Sequence, residues 1–297
     1  RLVFGLGGLG LLLRLLSPFG GLQRPLTCGL QFGLRLQRRL GGLSGGLGGL
    51  LYLFLCLSTD GLLGLRFFGV GLGLGLSGFG LSDKGWDGDM SHAAQADRLA
   101  AFMDAAGINR AVLAGNSMGG NIIAHFALKY PPRVRGLIFV DAAIYTGAPN
   151  APLVSTLLQF PPIRRWGQHA VRFLLADETR NAEIIKSAWY DSSKVTRDIL
   201  SGYRRALRTA DWDLGLLAML RESGQNDLSG RLGEITAPTL IIWGEHDTWI
   251  NPANGPRLQQ AIAGAQLHVI PQAGHVPHEE QPAEFNQVVI EFLESVK

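Results

Sequence analysis

Three residue types that together activate a hydroxyl for attack on a carbonyl stand at separate points of the chain. Ser117 lies in Gly115-Asn-Ser-Met-Gly119, Asp247 in Trp243-Gly-Glu-His-Asp247, and His275 in Gln272-Ala-Gly-His275. A serine hydroxyl is a weak nucleophile at neutral pH, so a base must take its proton and a carboxylate must hold that base in the productive tautomer. Rivals stand near two of the three. His246 and His278 compete with His275, and Asp141, at the end of the apolar run 134–140, competes with Asp247. His278 follows Pro277 and precedes Glu279 and Glu280, which reads as a solvated, carboxylate-paired histidine. No metal site is expected from His275, His278 and Glu279, because Pro277 disrupts the helical spacing such a motif needs.

The elements that must position these groups follow from hydrophobic periodicity. Residues 111–115 form a short apolar run that suits a strand buried on both faces. Ile122, Ile123, Phe126, Ala127 and Tyr130 then share a helical face, ended by Pro131 and Pro132. A serine between such a strand and helix sits on a turn so tight that its flanking positions must be nearly side-chain-free, as Gly115 and Gly119 are. The helix start aims backbone donors at the place where an oxyanion forms, with the N–H of Met118 among them. Asp247 falls just past a predicted strand over 239–243, and His275 just past one over 267–270. Loops after strand C-termini are where α/β sheets place their sites.

Helices are predicted over 91–106, capped by Ser91, and from Pro282 to the C-terminus; 134–140 reads as a further strand. The alternation gives an α/β fold class, with a mostly parallel central sheet and helices on both faces. From residue 145 to 233 it stops, and helical patterns occupy 153–160, 164–175, 182–189 and 196–206. This stretch reads as a helical cap insertion, and residues 76–144 and 234–297 as the core. Trp166, Trp189 and Trp212 read individually as packed residues of that insertion, although a cap's aromatics can also line a pocket.

Composition separates a further segment. Of the 297 residues, 46% are hydrophobic and 17% charged, against a usual charged share of about 25%, which excludes a disordered or nucleic-acid-coating chain. Residues 1–80 hold 27 Leu and 22 of the 40 Gly, with seven Arg against one acid, while the remainder carries a net charge of −3. The sequence pI near 9.0 therefore belongs to the segment, and no nucleic-acid partner is expected, because its arginines form no face with interleaved aromatics. Cys28 and Cys56 read as buried thiols; two cysteines form neither a disulfide framework nor a zinc ribbon.

Residues 40–59 are uncharged over about the length of a bilayer span, but six glycines weaken a helix there, and no small-x-small pattern marks a cleaved leader. A cytoplasmic protein is expected, with a membrane anchor as the alternative. The segment also matches Gly-x-Gly-x-x-Gly at 5–10 and 73–78. No helix start follows the second match, so dinucleotide binding is not expected. Residues 1–75 thus have three open readings: early core strands, an anchor, or a frame-shifted translation.

Over roughly residues 76–297 the chain resembles the α/β-hydrolase superfamily. The matching stretches are Gly78-Phe-Gly-Leu-Ser-Asp83, Gly115-Asn-Ser-Met-Gly-Gly120, Pro238-Thr-Leu-Ile-Ile-Trp-Gly-Glu-His-Asp247 and Ala273-Gly-His275. The resemblance implies Ser117 as nucleophile, His275 as general base and acid, Asp247 as orienting acid, and the helical stretch as the family's cap. Serine at position 117 separates the chain from the dehalogenase and epoxide-hydrolase branches, which carry Asp there. The departure is the family's early His-Gly loop, source of a second oxyanion donor: no His precedes His92. The expected activity is cofactor-free cleavage of a small hydrophobic carboxylic ester through an acyl-enzyme. The alternatives are a carbon–carbon bond hydrolase of the meta-cleavage-product type, and a non-catalytic ligand receptor on the same fold.

Overall fold

Alternating apolar strands resolve into a six-stranded sheet whose order, β2-β1-β3-β4-β5-β6, places the strand before Ser117 near its centre. The strands are β1 (Leu53–Leu57), β2 (Val70–Leu74), β3 (Ala111–Asn116), β4 (Val134–Val140), β5 (Thr239–Gly244) and β6 (Gln266–Ile270). The structure is a computed structural model that describes residues 53–57, 70–74, 82, 84, 86–145, 151–222 and 228–296. All of these fall in one of the chain's two compact units, residues 44–297.

Strands β3 to β6 pair in parallel, with Gly115 opposite Phe139 and Ile242 opposite His268. The period of two then sorts their side chains between two faces. Leu113, Phe139, Ile241 and Trp243 enter one core cluster, while Val112, Ala114, Ile138, Val140, Leu240 and Ile242 enter the other. The first face is covered by α1 (His92–Ala105), α2 (Met118–Lys129) and α8 (Asn254–Ala261), the second by α10 (Pro282–Ser295). Fully burying one such side chain contributes on the order of 1.5–3 kcal/mol, so the four parallel strands form a rigid frame for the loops at their C-terminal ends. The predicted cap is present, the Ser91 hydroxyl accepting from Ala94 N–H at 3.2 Å, and Gly107 follows α1 with φ 71°.

Strand β1 runs antiparallel to both β2 and β3, with Leu53 opposite Gly115 and Cys56 opposite Val112. It lies inside the uncharged stretch 40–59, where Leu51-Tyr-Leu-Phe-Leu-Cys-Leu57 is a short continuous apolar run of the kind that forms a buried strand. The rest of that stretch, the Gly-x-Gly-x-x-Gly match at 5–10, residues 75–78 of the second match, and Cys28 lie outside the described residues; Gly73, where the second match begins, is part of β2. Among the described residues no helix is long and apolar enough to cross a membrane.

Between β4 and β5 the chain forms α3 (Ala151–Leu158), α4 (Pro161–Leu175), α5 (Glu178–Ser187), α6 (Arg197–Arg204) and α7 (Trp212–Glu222). Helix α4 begins three residues before its apolar pattern suggests, because Pro161 and Pro162 occupy first-turn positions that need no intrahelical donor. Trp189 lies beyond the end of α5 rather than within it, and is buried with Ile185, Val195 and Val276. Trp166 corrects its reading as a packed residue, being 78% exposed. The inward row of α4 runs through Gly167, which faces Leu158 and Leu217, and through Val171 and Leu175 four and eight positions on. Trp166 falls off that row.

Candidate active site

Ser117 occupies the turn between β3 and α2 with φ 54° and ψ −120°, a left-handed conformation that a non-glycine residue adopts at a cost of about 1–3 kcal/mol. Three hydrogen bonds hold it there. Ser117 N–H donates to Val140 O at 2.9 Å, and Ser117 O accepts from Gly120 N–H at 3.0 Å and Ala143 N–H at 2.9 Å. The surrounding glycines are required sterically: a Cβ on Gly115 would fall on the backbone of Gly119, and one on Gly120 would strike the Ala142 side chain. Met118 is the first residue of α2, so its N–H has no intrahelical acceptor and stays available to an oxyanion.

Asp247 and His275 come from the loops after β5 and β6. Both are buried, and Asp247 Oδ2 lies 2.8 Å from His275 Nδ1. Asp247 Oδ1 accepts from the N–H groups of Trp249 at 2.8 Å and Ile250 at 3.0 Å, which fixes the carboxylate plane. This bond places the ring proton on Nδ1 and leaves Nε2 as the lone-pair nitrogen, the form a general base needs. His275 Nε2 is buried and has no hydrogen-bond partner among the described residues. The structure therefore joins His275 to Asp247 and does not form the Ser117–His275 bond; such bonds tighten in complexes with substrate. The two loops nevertheless adjoin, because Asn116 Nδ2 donates to His275 O at 3.2 Å and to Val140 O at 3.3 Å.

Several supports are invisible in the sequence. The Trp249 ring stacks on His275 at 5.1 Å and its Nε1 donates to Ser187 Oγ at 3.1 Å. His275 N–H donates to Ala188 O at 2.7 Å. The Glu280 carboxylate accepts from Gly274 N–H at 2.6 Å, Tyr190 N–H at 2.8 Å and Asp191 N–H at 3.3 Å. The chain following α5 is thus fastened to the loops of both Asp247 and His275. Two surface clefts of roughly 450 and 610 Å³, one along α5 and α6 and the other beside Trp166, contain no residue of this trio.

Gly244 is where β5 and the His275 loop meet. A Cβ there would overlap Gly274 O and approach Ala273 O to 2.7 Å, and these are backbone atoms that cannot swing away. Gly244→Ala is expected to cost about 3 kcal/mol or more by overpacking and, by displacing His275, to lower kcat/KM about 100-fold. Thermal melts and initial rates on the purified variant check both effects.

His278 overturns its reading as a solvated residue. Its ring packs against Phe285 and is withdrawn from water, and burial, followed by the neighbouring His275, pushes its pKa down to about 4. Pro277 opens the short helix α9 (Pro277–Glu280) instead of breaking one. Burial likewise holds His92 down at about 4. Both rings are neutral in the fold and take up protons near pH 6.5 when unfolded, so the folded state binds fewer protons between those values. Stability present above pH 6.5 is lost as the pH falls towards 4, on the order of 3 kcal/mol per histidine over the full window. The melting temperature should therefore drop between pH 7 and pH 5, and drop less in His278→Phe.

The comparisons with known proteins agree with this geometry. A family model described as alpha/beta hydrolase fold matches residues 46–282. The 2-hydroxy-6-oxo-6-phenylhexa-2,4-dienoate hydrolase of Comamonas testosteroni is 32% identical over 221 residues, 73% of this chain and 74% of that protein. The 2-hydroxy-6-oxononadienedioate/2-hydroxy-6-oxononatrienedioate hydrolase of Burkholderia vietnamiensis is 34% identical over 200 residues, 66% of each. Among solved structures, a thermophilic esterase from Thermogutta terrifontis superposes with a TM-score of 0.60 at 26% identity, over 77% of this chain and 80% of that one. A meta-cleavage product hydrolase from Pseudomonas fluorescens IP01 shares the fold with a TM-score of 0.63 at 24% identity, over 78% and 82% of the two chains. With a family match over most of its length and the trio set on the loops of its parallel strands, the chain belongs to the α/β-hydrolase family.

Proposed function

We propose that this hydrolase cleaves a carbon–carbon bond beside the ketone of a vinylogous 2-hydroxy-6-oxo acid, with Ser117 as nucleophile, His275 as base and acid, Asp247 as orienting acid and Met118 N–H as one oxyanion donor. The observation that carries this reading is the identity of 32% and 34% to two curated relatives named for such substrates. It displaces the simple ester favoured by the residues alone.

The chemistry is consistent with the site. A carbon leaving group needs an electron sink, and the conjugated acid supplies one. Moving the 2-hydroxyl proton to C5 gives the keto tautomer. Ser117 Oγ then adds to C6 while His275 Nε2 takes its proton. The C5–C6 bond breaks, its electron pair passes through the C3=C4 bond to the C2 oxygen, and water releases the acyl group from Ser117.

Two packing observations support the reading. Ala218 and Met219 of α7 pack in one cluster with Met118 and Trp86, which supports taking residues 145–233 as a cap over the nucleophile. The guanidinium groups of Arg164 and Arg221 lie over the Trp86 ring at 4.9 and 4.6 Å, and positive charge on a residue that packs in the cluster of Met118 favours a carboxylate-bearing substrate.

Ester hydrolysis is the second reading, favoured by the 26%-identical esterase structure; an alkoxide would leave in place of the carbon group. Rates on 2-hydroxy-6-oxo-6-phenylhexa-2,4-dienoate, followed by loss of its chromophore, and on p-nitrophenyl esters separate the two. A higher kcat/KM for the diketone acid is expected. A higher value for the esters would replace the proposal with the second reading, and stoichiometric binding of both without turnover would indicate a ligand receptor.

A further inference from the structure

The carboxyl group of Asp141 is buried beside the triad and has no part in the relay described above. Asp141 follows the last residue of β4 with φ 44°, a left-handed conformation fixed by its N–H, which donates to Ile242 O at 3.0 Å. Its side chain is fully buried. Oδ1 accepts from Gly244 N–H at 2.9 Å, whereas Oδ2 has no hydrogen-bond donor among the described residues. One oxygen of Asp141, one of Asp247 and a ring nitrogen of His275 all lie within 4.8 Å of one another. Two carboxylates this close, both out of water, do not both ionise at neutral pH.

Which of them keeps the charge follows from their donors. Asp247 receives two backbone N–H groups and the imidazole N–H. Asp141 receives one backbone N–H. We infer that Asp141 holds a proton on its free oxygen and donates it as a hydrogen bond to Asp247, making it a positioning residue for the orienting acid and extending the triad by one member. It rests on the Ser117–His275–Asp247 assignment and is indifferent to which bond is cleaved.

The titratable groups facing Asp141 agree. Burial, followed by the charge of Asp247, pushes its carboxyl well above the usual carboxylate range; Gly244 N–H pulls the other way, and Glu280 adds to the rise. Among the described residues His275 also lies beside Asp141. A neutral Asp141 clamps Asp247 without adding a second negative charge next to His275. Once ionised, it would repel Asp247 and hold the catalytic proton on His275, so turnover should fall at alkaline pH as Asp141 loses its proton.

The test compares the wild-type protein with Asp141→Asn and Asp141→Ala. Asparagine keeps an acceptor for Gly244 N–H and offers an amide N–H to Asp247; alanine offers neither. The infrared difference between wild type and Asp141→Asn at neutral pH should contain the C=O stretch of a neutral carboxyl, and its absence would overturn the inference. In kinetics, Asp141→Ala should lose about 10- to 100-fold in kcat with little change in KM. Asp141→Asn should restore most of that loss and flatten the alkaline limb of the pH profile. Equal losses in the two variants, or an unchanged limb in Asp141→Asn, would contradict it. If Asp141→Asn does not fold, the same band is read in Asp247→Asn, where removing the charged acceptor must shift it. Because the infrared reading requires no turnover, it separates a failure of this inference from a failure of the triad assignment.

Discussion

Replacement of Ser117 by alanine is expected to lower kcat by about 10⁶ on any substrate the protein turns over, with the fold retained. The magnitude follows from the division of labour at the site. His275 has no proton to take once the hydroxyl is gone, so its bond to Asp247 no longer contributes to the rate. Residual catalysis of roughly 10³–10⁴ over water, from the oxyanion donors and binding, would remain. The fold should survive because Ser117 makes no side-chain capping bond to α2, while the bonds that hold its turn are backbone bonds to Val140, Gly120 and Ala143. Single-turnover rates and a thermal melt of the variant check both parts, and a loss smaller than tenfold would remove Ser117 from the mechanism.

Asp247→Asn is expected to cost about 10⁴ in kcat through the tautomer of His275. The direction is fixed by the backbone. Trp249 and Ile250 both present N–H groups to Oδ1, so an asparagine must keep its carbonyl oxygen there and turn its amide group towards His275. Nδ1 then has to accept, the ring proton moves to Nε2, and Nε2 can no longer take the serine proton. Pre-steady-state kinetics should show slow acylation with substrate binding little altered. Unchanged acylation would mean that His275 is oriented by another group.

The elbow was legible in the sequence because Gly115 answers to a backbone contact only four residues on, at Gly119; Gly120 has no room for a side chain against Ala142, a residue 22 positions away. Asp247 and His275 were legible because each follows an apolar run that forms a strand. The choice between Asp247 and Asp141 was less so, since both follow strands, and only the three-dimensional arrangement shows that both lie at His275. His278 was misread for a related reason. Its acidic neighbours point to water in sequence, but Glu280 turns to Tyr190 and Asp191, and Glu279 Oε1 accepts from Tyr203 at 2.7 Å, partners some 76 to 90 positions away. The antiparallel course of β1 was hidden because a continuous apolar run in a Leu/Gly-rich segment carries no signal of strand direction. The second oxyanion donor, which the resemblance assigns to an early loop, is not placed, because before residue 82 the described residues are those of β1 and β2 alone.

Labelling with a fluorophosphonate followed by peptide mapping tests the triad most directly, because it reads the nucleophile without requiring the substrate. A stoichiometric adduct on the peptide carrying Ser117, lost in Ser117→Ala and strongly slowed in His275→Ala, is the predicted result. An adduct on a different serine, or no adduct from a preparation that still turns over substrate, would contradict it.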